Sequence, residues 1–260
     1  MAGDRTLIQI RERSFLDLLD LALVVVRDRP APIVVAAVAG VAPFAAFNAW
    51  LIQSQDVPFL VYVGLLLMEA PWATAPVTVV LGGLMFGERP TAGRVVRALV
   101  AALPSMVLYQ VVLRGLLLAT VVLYPVLPGK LTFLGEVILL ERGRLGRVVT
   151  RCSTLSGRRG VDFFGQWVAQ LVFGAVFAFS FWFGTGAALN GLTTSELTWD
   201  EPGMDAVSGA RFHVALWGAV VFFAVARFLT YIDQRIRLEG WEVKLRLEAV
   251  GRAIEDSGRW

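Results

Sequence analysis

Five ionisable side chains stand inside apolar runs of this 260-residue chain: Glu69, Arg114, Lys130, Glu136 and Arg227. Charge is costly in hydrocarbon, so such residues usually face a helix-bundle interior or a water-filled cavity, where they bind, relay protons or pair with one another. Helix depth decides which of them can meet. At 1.5 Å per residue, Glu69 lies roughly 27 Å from the edge marked by Gly87, and Arg114 roughly 26 Å from Arg97. Arg227 lies only about 12 Å from Arg235 and is free to snorkel to the surface. These depths predict a Glu69–Arg114 pair. Lys130 closes "YPVLPGK" (Tyr124–Lys130), whose two prolines and glycine break a helix. Broken backbone at membrane depth must be buried in protein or line a cavity, so a polar cavity near Glu69 and Lys130 is the transport-like expectation.

Conventional catalytic chemistry is poorly provided for. His213 and Cys152 are the single histidine and cysteine. They exclude an intrachain disulfide and speak against a zinc site, which takes three or four protein ligands. A Ser-His-Asp triad would have to use His213, which opens the last apolar segment and reads as an interfacial or packed histidine. HExxH, CxxC and GxSxG are missing, and "PGKLT" lacks the first glycine of a phosphate loop. The expectation is no catalytic residue, no cofactor and no metal, and Glu141 reads as a solvated acid.

The elements that position these residues follow from hydropathy. The chain is 57% hydrophobic and 17% charged, with mean hydropathy +0.66, against roughly 25% charged in soluble domains. Apolar runs long enough for a layer about 30 Å thick recur. The predicted fold is all-α, one polytopic transmembrane bundle of about six spans. Residues 1–30 form an interfacial helix, 31–232 the bundle and 233–260 a cytoplasmic helical tail, with another amphipathic helix in 141–160. "SFLD" (Ser14–Asp17) carries a helix N-cap and an acidic N3 residue, and Leu18, Leu19, Ala22, Val25 and Val26 follow at helical spacing. Asp17 and Asp20 argue against a signal peptide. "GLMFG" (Gly83–Gly87) fits close helix contact.

Residues 98–140 admit two readings: two spans with a turn at Arg114–Gly115, or one span to Leu127 and a re-entrant return through "LTFLGEVILL". Both return the arginines of 141–160 to the side of Arg94 and Arg97. The loop 187–210 has four acids and no base. The positive-inside rule then places both termini in the cytoplasm, Trp199 outside, and the chain in an inner membrane. Arg144, Arg147 and Arg151 share a helical face suited to anionic lipid headgroups. In the tail, Asp233/Arg237 and Arg235/Glu239 begin a series of i,i+4 pairs, and Ile236 begins an apolar stripe continued by Val243, Leu247, Val250 and Ile254. Membrane lipids are thus expected partners, with a protein partner or homo-oligomer possible through the stripe, and no nucleic acid.

Three stretches carry a resemblance. "ERSFLDLLDLALVVVRDRPAPIV", "EVILLERGRLGRVVTRCSTLSGRRG" and "RFLTYIDQRIRLEGWEVKLRL" resemble bacterial membrane proteins like the glycerophosphodiester phosphodiesterase membrane domain, without its catalytic domain. The resemblance implies a helical membrane module rather than that enzyme. The functional expectation is a non-enzymatic module that scaffolds or regulates a membrane or cytoplasmic partner, with a transporter, channel or lipid translocator as the alternative.

Overall fold

The structure is a computed structural model that describes residues 14–54, 58–85, 90–120, 122–141, 146–157, 159–192 and 210–239. Those residues are helical, joined by short turns. α1 (Phe15–Asp28) opens on a capping box: Ser14 Oγ accepts from the Asp17 N–H, and the Asp17 carboxylate accepts from the Ser14 N–H. Two orphan donors are satisfied there, so the helix starts where the pattern places it. Leu18 and Ala22, one turn apart, are buried, while Leu16 and Leu23 are exposed. α1 therefore packs its stripe on the last helix rather than lying only in an interface.

α2 (Pro30–Ser54) and α3 (Phe59–Met85) form the most extensive helix pair. Small residues allow it. A Cβ on Gly40 would overlap the carbonyl oxygen of Ala73 and stand 3.1 Å from Pro76 Cδ.

The next helix bears on the two readings of residues 98–140. α4 (Ala92–Met106), a π-helical segment (Val107–Leu113) and α5 (Arg114–Thr120) make one rod of 29 residues, about 43 Å long. No turn occurs at Arg114–Gly115. In a low-dielectric layer each backbone group needs a partner within the segment, and a continuous helix supplies more of them than a turn would. Pro104 removes one N–H, and a π-helical segment follows three residues on.

The chain returns through α6 (Val126–Lys130) and α7 (Leu134–Leu140). At about 8 and 10 Å, neither can cross alone. This is the one-span-and-return arrangement, with the rod ending at Thr120 rather than Leu127. Leu127, Pro128 and Gly129 lie inside α6 and are buried, while the helix is interrupted on either side, at residues 122–125 and 131–133. α8 (Val148–Ser156) follows, then α9 (Gly160–Leu192) and α10 (Ala210–Glu239) as a long antiparallel pair. Among the described residues five helices are long and apolar enough to cross a membrane: Pro30–Leu51, Val61–Met85, Ala92–Thr120, Gly160–Ala188 and Arg211–Leu238. The chain is a multipass helical bundle. Gly87, Trp199 and the tail beyond Glu239 lie outside the described residues, so the "GLMFG" contact and the stripe after Ile236 have no structural reading. Ile236 itself packs on the core, and Asp233 pairs with Arg237 at 2.7 Å.

Candidate functional site

α7 carries the most deeply buried charge. Glu136 sits in its first turn, where a carboxylate suits the helix dipole. It is fully buried. Arg227, from the middle of α10, brings Nε to 2.7 Å from its Oε1. Depth alone had Arg227 snorkelling to the surface; instead it turns inward, because a buried carboxylate without a counter-charge costs far more than a bent arginine. The second oxygen, Oε2, has no hydrogen-bond partner.

Five residues on, Glu141 ends α7 and joins three elements. Arg151 of α8 grips it with Nε at 2.7 Å and Nη2 at 3.0 Å, the two-pronged geometry that makes such pairs strong. The Tyr231 hydroxyl of α10 donates to Oε1 at 2.9 Å, and Arg235 Nε stands 3.8 Å away. Arg235 also donates to the Tyr231 hydroxyl at 3.2 Å and lies over its ring. Glu141 is thus no solvated acid but the knot tying α7, α8 and α10. Arg151 is consequently turned inward, while Arg147, at the start of α8, is exposed. Arg144 lies outside the described residues.

Cys152 lies fully buried beneath this knot. Burial, reinforced by the Glu136 and Glu141 carboxylates, pushes its thiol up to about 12 from an ordinary 9.0. The folded state holds a proton that an unfolded chain loses in that window. Its contribution to stability is therefore full below pH 9 and lost as pH rises toward 12. Maleimide at about pH 8 should label Cys152 many-fold more slowly in the detergent-solubilised fold than after unfolding, since the thiolate is the nucleophile. Equal rates would place the thiol outside the core. Burial also means that labelling of native Cys152 reports packing, not the side of the membrane.

Lys130 is exposed and caps the end of α8. Its Nζ donates to the Gly157 carbonyl at 2.7 Å, and Ser156 Oγ donates to the Lys130 carbonyl at 2.9 Å. Gly157 has φ +50°, a conformation that needs glycine. Together they fasten α6 to the end of α8.

Glu69 and Arg114 do not pair. The Glu69 carboxyl accepts from Asn48 Nδ2 at 2.7 Å, joining α3 to α2. Arg114 Nη1 donates to the Leu67 carbonyl at 2.7 Å. The reason lies four residues beyond Leu67. Pro71 has no N–H, so it frees the Leu67 carbonyl inside α3, and Arg114 answers it. Arg114→Met should destabilise the fold by about 1–3 kcal/mol, the cost of a buried orphan acceptor. Pro71→Ala restores an N–H, so the double variant should lose less than the sum of the singles. Additive losses in a detergent unfolding titration would refute this role for Arg114.

Arg114 also lies within electrostatic reach of Tyr124, Glu136 and Arg227. Its Nε, Gln110 Oε1 and Glu136 Oε2 are buried without partners. Near the opposite end, the Tyr62 hydroxyl stands 2.8 Å from His213 Nδ1, and Phe212 packs edge-on to the ring. His213 is thus a packed histidine, bonded to a phenol rather than to a serine. Among the described residues no group of three His, Cys, Asp or Glu is placed to hold a metal ion.

Among the described residues Glu136 meets Arg227 and Glu141 meets Arg151, charge against charge. The decisive members of the arrangement beyond the expected five are Asn48, Gln110, Glu141 and Tyr231. Only the Leu67–Pro71 spacing could have foretold one of the contacts. No family model matches the chain, and neither the curated proteins nor the solved structures contain a match to it.

Proposed function

We propose that this protein is a non-enzymatic inner-membrane module that holds a membrane or cytoplasmic partner at its basic end, with both termini cytoplasmic. The observation that carries this reading is the Glu136–Arg227 pin together with the Glu141 knot. Glu136, Arg227, Glu141 and Arg151 are spent on locking α7 and α8 to α10. Arginines at the helix ends on that side support the orientation, since short cytoplasmic loops are rich in them.

A second reading, proton or ion transfer, draws on the three unpartnered polar atoms of Gln110, Arg114 and Glu136, a set able to hold water. Proteoliposomes carrying an internal pH dye separate the two. Under scaffolding they should keep an imposed pH gradient as long as protein-free vesicles. A leak abolished by Glu136→Gln would replace scaffolding with transport.

A further inference from the structure

A cavity of about 390 Å³ opens at the basic end, where α3 ends, α4 begins and the last turns of α7 and α10 converge. Its lining has two characters. Val79, Met85, Leu140 and Phe228 give an apolar wall, while Arg94, Tyr231 and Arg235 give a polar rim. Among the described residues no carboxylate lines it. Gly82 and Gly83 contribute no side chains to fill it. A Cβ on Gly82 would stand 2.6 Å from Leu140 Cδ2, the flexible end of a leucine that would have to turn aside.

We infer that this cavity is a binding site for the phosphodiester head and first methylenes of an anionic phospholipid. Three features select that chemistry. Two guanidinium groups present planar forks of N–H donors, the geometry that phosphate oxygens accept. Arg235 is already oriented by Tyr231 and Glu141, so little is lost in ordering it on binding. The apolar wall adjoins the arginine rim, which suits a head joined to a chain and leaves a free phosphate half-unsupported. The volume falls in the range of small-molecule sites, roughly 300–1,000 Å³, and is too small for a protein element. The site stands apart from the scaffolding reading, since a lipid could fill it in a scaffold or a transporter alike.

The test is native mass spectrometry of the full-length protein released from mild detergent, with phosphatidylglycerol or phosphatidylcholine added at equal amounts. The wild type should retain phosphatidylglycerol preferentially. Arg94→Gln should weaken retention roughly fivefold, and Arg94→Gln with Arg235→Gln roughly thirtyfold. Because Arg235 also supports the Glu141 knot, Ala98→Phe serves as a second variant. It fills the cavity with both arginines in place and should abolish preferential retention while keeping the melting temperature near wild type. Arg97→Gln, which does not line the cavity, should change nothing. Equal retention of the two lipids would overturn the proposal, as would insensitivity to Ala98→Phe. Displacement of the lipid by inorganic phosphate alone would also overturn it, making this a site for a soluble anion.

Discussion

Arg227→Met should destabilise the bundle by about 3–5 kcal/mol, because it strands a fully buried carboxylate. The size comes from Glu136, not from the attraction itself. Its carboxylate is held by a single 2.7 Å contact, with Oε2 unpartnered, so the pair already has little to spare. Glu136→Gln should cost less, since a neutral amide is cheaper to bury than an ion. Glu136→Leu combined with Arg227→Met should come close to wild type, because a buried ion pair exchanged for apolar side chains of similar volume is often neutral or stabilising. Unfolding in mixed detergent micelles measures all three. If Arg227→Met proved as mild as the double variant, Glu136 would not depend on Arg227, and the pin would lose its meaning. The same comparison bears on function: a bundle that tolerates the apolar pair and still binds its partner uses these charges for architecture alone.

The second large effect is expected at Gly40. Any side chain there meets the backbone of α3 at Ala73, not a flexible side-chain end. α2 and α3 would have to move apart along the most extensive helix contact of the fold. Gly40→Ala should therefore lower stability by about 3 kcal/mol, the upper end of ordinary overpacking, and Gly40→Leu should prevent accumulation of folded protein. Gly165→Ala, facing open space in α9, is the matched control and should be tolerated. The melting temperature in detergent reads the outcome. A Gly40→Ala protein as stable as the control would mean that the two helices are not so close.

Much of this architecture is legible in the sequence. Apolar length assigns the chain to lipid, because about 30 Å of hydrocarbon demands about 20 apolar residues. The Ser14–Asp17 capping box and the buried face of α1 follow from the local rules that predict them. The interruption at residues 122–125, closed by Pro125, is likewise local, since proline acts on its own turn; Pro128 and Gly129, read from sequence as part of the break, lie inside the short helix α6. These properties depend on neighbours within a few residues, and the sequence states them directly.

Only the tertiary structure decided which charge meets which. Counting residues measures depth along the membrane normal and is silent on direction around each helix axis. Glu69 and Arg114 were well matched in depth, yet Glu69 turns to Asn48 on α2 and Arg114 to the Leu67 carbonyl that Pro71 releases. Arg227 was badly matched to both, yet the broken return limb brings Glu136 to it. Continuity of the rod through Arg114–Gly115 was also beyond local reading, since one arginine and one glycine serve a turn or a helix equally well. What settled these cases is that a low-dielectric interior requires every polar group to find a partner, and which partner is within reach depends on how separate helices pack, not on their order in the chain.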